Sequence, residues 1–191
     1  MAETQRDVVD LLTADHRQFD RVFCELEELL GNAGAELDDR KQQLVGEVSL
    51  GLARHSVAEE AHVYPRVHEQ IDAAEARRCQ AEHELAERTM KRLERLHPSD
   101  EQFDTEVRAL IHEIRMHVAH EEGQLFSGLR ATFSHAQLVE MGDQVEQVMT
   151  LAAPWEHPLV PDEGVAPRAL GPVAALLEHL RAAVGGRGPV R

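Results

Sequence analysis

The residues best equipped for chemistry in this chain are histidines and carboxylates at helical spacing. His55-x-x-x-Glu59 recurs 62 positions on as His117-x-x-x-Glu121, and a single histidine, His16 or His83, precedes each pair. A residue and its fourth successor project from one face of an α-helix, about 6 Å apart along its axis. Each pair thus offers an imidazole and a carboxylate to one space, a donor set that suits first-row metal ions. Twelve histidines in 191 residues is a heavy load, and no terminal run of them reads as a tag. Ser/His/Asp, P-loop and dinucleotide signatures are absent. A ferritin-type site needs two Glu-x-x-His pairs. Only Glu59-x-x-His62 has that spacing, and Gln124 stands at the corresponding place in the second repeat.

The elements that must position these residues are helices. Aromatic residues number seven, β-branched runs are nearly missing, and Gly and Pro are sparse before residue 150. Apolar residues at helical spacing mark a first helix from Val8 to Leu30, ended by Gly31, and a second from about Glu36 to Gln70. A third runs from about Asp72 to His97, stopped by Pro98, and a fourth follows with Ser99 as its N-cap. A short fifth helix follows Ser134 and ends near Thr150. The reading is all-α: an antiparallel up-down-up-down four-helix bundle with a short fifth helix and an extended Pro/Gly-rich tail. Residues 1–150 form the bundle domain, and 151–191 the tail, a strap or linker with one short helix over Val173 to Val184.

The four histidines fall at one level. His16 lies 15 residues before Gly31 and His55 19 after Glu36; His83 lies 15 before Pro98 and His117 18 after Ser99. Antiparallel helices with short turns bring them within about one turn of a common plane. A second repeat, offset by 67, relates Asp15, His16, Asp20 and Leu26 to Glu82, His83, Glu87 and Leu93. The domain is therefore two helical hairpins of one pattern. Buried unpaired carboxylates cost several kcal/mol each, so Glu59 and Glu121 need cationic partners. Two carboxylate-bridged metal ions supply them. Iron suits such a mixed site better than zinc, although the residue types also accommodate manganese and zinc.

With these motifs in place, residues of about 8 to 131 resemble the hemerythrin-like HHE cation-binding family in spacing, order and helix count. The resemblance implies two non-haem iron ions joined by an oxo or hydroxo bridge. His16 and His55 would hold one, His83 and His117 the other, and Glu59 and Glu121 would bridge them. Oxygen-carrying members have His-x-x-x-His on the third helix, where this chain reads His83-x-x-x-Glu87. With one imidazole fewer and more carboxylate nearby, the ferric state is favoured. The expectation is therefore catalase-like redox chemistry on peroxide or another small oxidant. The alternative is a protein that binds or senses oxygen, nitric oxide or iron without turnover.

Around this set, His62 is expected at the rim or behind the ligands. Asp20 and Glu87 are placed to accept an imidazole N–H, to add a ligand, or to stay solvated; the first is the expectation. Tyr64 reads as a core tyrosine with a satisfied hydroxyl, contact with the pocket being the alternative; Glu60 and Glu122 read as pointing away from the metals, and His120 as a surface residue. Cys24 and Cys79 read as separate buried thiols, about 18 Å apart along the axis, too far for a disulfide. They fit a reducing compartment, and with no run of 18 apolar residues the cytoplasm is the expected location. A formal charge of −15 argues against nucleic-acid and anionic-membrane partners and leaves small molecules.

Overall fold

The computed structural model describes residues 6–151 and 173–185, which are helices joined by short turns. Helix α1 spans Val8–Leu29. The Asp7 side chain accepts from the Asp10 amide while the Asp10 carboxylate reaches back to the Asp7 amide, a reciprocal cap that satisfies two amides of the first turn. After α1, Gly31 takes φ 83°, a left-handed conformation that glycine adopts without a Cβ penalty. Helix α2 spans Ala35–His62, α3 Tyr64–Gln70, α4 Ala73–Leu93 and α5 Phe103–His120. The chain then widens into a π-helical turn over Glu121–Leu125 and continues as α6, Phe126–Thr132. Helices α7, His135–Leu151, and α8, Val173–Gly185, complete the described chain.

Helix α1 packs on α2 and α5, and α4 packs on α5 and α2, which closes the four-helix bundle. Its centre is filled by Leu12, Phe23, Leu26, Leu44, Val48, Leu52, Leu93, Phe103 and Leu110, all at most 3% exposed. Each such side chain contributes about 1.5–3 kcal/mol relative to its solvated state. The end remote from the histidines is pinned by a charge. Buried Lys41 donates to the Asn32 carbonyl (2.9 Å) and the Asp104 carboxylate (3.1 Å), whose other oxygen accepts from the Gly31 amide (2.6 Å).

Three boundaries differ from those expected. The helix expected to run unbroken to Gln70 breaks at Val63, and α3 starts with Pro65 in its first turn. Proline has no N–H for the preceding turn, and its ring clashes with the carbonyl four residues back. The third helix ends at Leu93 rather than His97, and Ser99 caps nothing. Asp100 instead folds the segment into a turn by accepting from the His97 amide at 2.7 Å, so α5 begins at Phe103. Helix α7 follows Ser134 as expected and packs on α1 and α2.

The expected helix in the tail is α8, which lies on α2 and α4 with Leu177 and Leu180 buried. The extended segment expected to precede it falls at residues 152–172, outside the described residues. No helix among the described residues is long and apolar enough to cross a membrane.

Candidate metal centre

His16 from α1, His55 and Glu59 from α2, His83 from α4, His117 from α5 and Glu121 from the π-helical turn meet in the bundle core, each at most 5% exposed. Their Nε2 atoms converge: those of His16 and His55 are 3.3 Å apart, and those of His83 and His117 3.1 Å. The carboxylates lie between the two imidazole pairs. Glu59 Oε2 is 3.2 Å from His55 and 3.3 Å from His83, while Glu121 Oε2 is 3.4 Å from both His16 and His117. Two donor groups result, His16–His55–Glu59–Glu121 and Glu59–His83–His117, each compact enough to surround one cation.

The orphaned atoms test whether these residues fit metal ions. Glu59 Oε1 and Glu121 Oε2 are buried without a hydrogen-bond partner. Buried carboxylate oxygens left unpaired are costly, and ions between the imidazole pairs would satisfy them. The residues fit the group.

A carboxylate stands behind each outward-facing Nδ1 atom, hydrogen-bonded to three of the four. Those of His16, His55 and His117 contact Glu122 (3.0 Å), Asp15 (3.3 Å) and Glu82 (2.9 Å). That of His83 makes no hydrogen bond among the described residues and lies at ion-pair distance, 3.4 Å, from Glu60. Carboxylates in this position fix the ring so that Nε2 faces inward, and they make it a stronger donor. The repeat organises them. Asp15 and Glu82 each precede a site histidine and reach across to the neighbouring helix, and Glu60 and Glu122 each follow a site glutamate and do the same. Two residues expected to point away from the site therefore buttress it.

Tyr64 is a core tyrosine with a satisfied hydroxyl, and its partners are the site residues themselves. The hydroxyl lies 2.9 Å from Glu121 Oε1, 3.1 Å from Glu59 Oε2 and 3.0 Å from His83 Nε2. Its counterpart in the other hairpin, Phe126, stacks on His16 at 5.7 Å and brings no hydroxyl. The offset of 62 pairs these two positions, so the sequence carried the signal that the halves differ here.

Charge is shared among these groups. Burial disfavours a charged His55, but Glu59 and Asp15 outweigh it and lift the ring well above its usual range. Burial opposes a charged His83 too, yet Glu59 and Glu60 raise it to about 9. Burial alone would raise Glu59, but His55 and His83 hold it well below the carboxylate range. Glu82 is drawn down to about 2 against its own burial by His117, Arg78 and His120. Burial, reinforced by Glu121 and Glu59, pushes Tyr64 well above the normal phenol, so it stays a donor at neutral pH.

The residues expected behind the ligands sit elsewhere. Asp20 pairs with Arg115 at 3.0 Å, and Glu87 with Lys91 at 2.5 Å and Arg181 at 3.3 Å. Both lie one turn past a site histidine, level with cations that claim them. His62 is half-buried, and burial with the nearby Arg66 lowers its pKa. His120 is buried rather than exposed, between Glu82 (3.3 Å) and Glu75 (2.5 Å). Cys24 is exposed beside Arg115, and Cys79 is buried. On the α1–α5 side, a pocket of about 260 Å³ reaches His16 between Phe19, Phe23, Ile114 and Val118.

The comparisons agree with this geometry. The chain is 27% identical over 132 residues to a protein named DNA nickase from Nostoc sp. (strain PCC 7120 / SAG 25.82 / UTEX 2576), covering 69% of this chain and 36% of that one. It thus spans about a third of that relative's length. The crystal structure of a Hemerythrin HHE cation binding domain-containing protein from Mycobacterium kansasii superposes with a TM-score of 0.65 at 17% identity, covering 76% of this chain and 86% of that one. At that identity the likeness concerns the fold. Residues 7–129 match the family described as the Hemerythrin HHE cation binding domain. That stretch holds all four bundle helices and both donor groups, and by it the chain belongs to the hemerythrin HHE cation-binding family.

Proposed function

We propose that the centre holds two iron ions and acts on peroxide or another small oxidant. His16 and His55 hold one ion, His83 and His117 the other, and Glu59 and Glu121 bridge. The observation that carries this reading is the arrangement of the two glutamates, each within 3.4 Å of a histidine of both pairs and each with a buried oxygen that no hydrogen bond satisfies. Bound iron would supply one-electron steps between the ferrous and ferric states.

The protein's own part is positioning and hydrogen-bond donation. Four carboxylates lie behind the imidazoles and favour the higher charge on iron. Among the described residues, the Tyr64 hydroxyl lies within hydrogen-bond reach of both glutamates, and it can donate a hydrogen bond to an oxygen held there. The buried plane keeps bulk water out, and the pocket beside His16 offers small molecules an approach. The activity named for the Nostoc protein is not carried over, because a formal charge of −15 opposes a DNA backbone.

The test is oxygen release from hydrogen peroxide by the iron-loaded protein, alongside metal analysis. The expected result is two irons per chain and turnover that Glu121→Ala abolishes. Stoichiometric zinc after iron-supplemented expression would overturn the di-iron assignment. Reversible oxygen binding by the reduced protein, without peroxide turnover, would replace catalysis with carriage or sensing.

A further inference from the structure

Three of the carboxylates behind the imidazoles are themselves gripped by arginine. Arg17 clamps Glu122 through two bonds of 2.9 and 2.7 Å, behind His16. Arg78 donates to Glu82 at 2.9 Å, behind His117. Arg181 donates through Nε and Nη2 to Glu60, both at 3.3 Å, behind His83. The first two arginines come from the bundle helices α1 and α4. The third comes from α8, beyond the stretch that matches the family.

The repeat shows why an outside arginine is needed. The offset of 67 that carries His16 onto His83 carries Arg17 onto Glu84. Glu84 is 69% exposed, faces Arg88 at 3.7 Å, and has the wrong charge to hold Glu60. The second hairpin thus has no arginine at the equivalent position, and α8 supplies one from another direction. Leu177 and Leu180 anchor the helix against the bundle, and Arg181 also holds Glu87 at 3.3 Å. One guanidinium lies between two carboxylates of α2 and α4 and holds Glu60 in position.

We propose that Arg181 is a positioning residue for the metal centre, fixing Glu60 behind His83 as Arg17 fixes Glu122 behind His16, and that α8 thereby completes the site. The inference rests on the metal reading above and concerns only the half of the centre that contains His83. Without Arg181, Glu60 can turn to solvent, and the His83 ring loses the carboxylate 3.4 Å behind its Nδ1. Removing a partner of this kind weakens metal retention about 10–100-fold.

The full chain with Arg181→Gln or Arg181→Lys, loaded with ⁵⁷Fe, tests it. Three measurements apply: iron release to a chelator, Mössbauer spectra, and nitrogen-15 histidine spectra of the metal-free protein. Arg181→Gln should release one of its two irons about tenfold faster and shift one of two Mössbauer signals. It should also move the His83 ring signals while leaving those of His16 in place, and Arg181→Lys should recover part of each effect. Unchanged release and spectra in Arg181→Gln would overturn the proposal. So would a lysine variant as impaired as the glutamine one with α8 unprotected from hydrogen exchange, because Arg181 would then only dock the helix. Wild-type protein that takes up no iron would sink the metal reading, and the metal-free histidine spectra would still decide whether Arg181 orders His83 through Glu60.

Discussion

Replacing Tyr64 by Phe deletes one oxygen from the centre of the site and little else. The residue is 1% exposed, and its hydroxyl lies within 3.1 Å of Glu121, Glu59 and His83. A phenol has one proton to donate, so it stabilises one carboxylate at a time. Hydrogen bonds to charged groups contribute about 1.5–3 kcal/mol, and here the acceptor is buried with few alternatives. Loss of about 2 kcal/mol in a domain of this size lowers the melting temperature by about 4–8 °C. The measurement belongs in metal-free protein, where the hydroxyl and the glutamates have only each other and the imidazoles. Phe126 occupies the equivalent place in the other hairpin, so the packing tolerates a bare ring and the loss reports on the hydroxyl. A cycle with Glu121→Gln isolates the pair, since the Tyr64 effect should shrink once that charge is gone. A Tyr64→Phe protein that melts within about 1 °C of wild type would refute the idea that this hydroxyl bonds a buried carboxylate.

Metal uptake at pH 7.5 should release about two protons per chain, because His55 and His83 are both held protonated in the metal-free site; a pH-indicator titration showing none would contradict this charge assignment. Metal-free protein should also lose stability in alkali. The His83 contribution is fully present below 6.5 and disappears as pH rises through about 9, while that of Glu82 is present above 4.5 and disappears as pH falls through about 2. Melting temperatures should therefore be highest between these limits, and a curve that climbs from pH 6.5 to 9 would be inconsistent with a charged His83. Gly51→Ala should destabilise by about 1–3 kcal/mol despite the better helix propensity, because the new Cβ would meet the buried Phe19 ring at 2.8 Å, and that ring packs edge-on against His55; a more stable variant would show that Phe19 yields freely.

The bundle and the inner plane of the site were legible because both rest on periodicity. Apolar spacing gave the helices, and the two offsets gave the hairpins and the level at which His16, His55, His83 and His117 meet. The outer ring was harder to read. Glu60 and Glu122 follow inward-facing residues by one position, which on a single helix means a turn of about 100° away from the core. In a bundle, that direction leads to the neighbouring helix, where an imidazole waits. Asp20 and Glu87 fit the one-turn rule on their own helices but are claimed by Arg115, Lys91 and Arg181, whose reach spacing does not reveal. Nor could spacing place α8, because contacts between distant segments leave no periodic trace.

Regular α-geometry is abandoned near both site glutamates: α2 breaks at Val63, four residues past Glu59, and α5 gives way to a π-helical turn that begins at Glu121 itself. Tyr64–Gln70 and Phe126–Thr132 are seven-residue helices at matching positions of the two hairpins, one entered through a break at Val63 and the other through a π-helical turn. Pro65 explains the first departure locally, but Ser127 holds the corresponding place in the second. Proline is therefore not the common cause. What the two hairpins share is a glutamate aimed inward, a second glutamate aimed at the next helix, and an aromatic ring laid against a histidine. A uniformly wound helix would have to present these three residues at fixed angular steps. Anyone grafting this centre onto idealised, smoothly curved helices must carry the irregular turn with it, or the aromatic ring beyond the turn will be aimed away from its histidine.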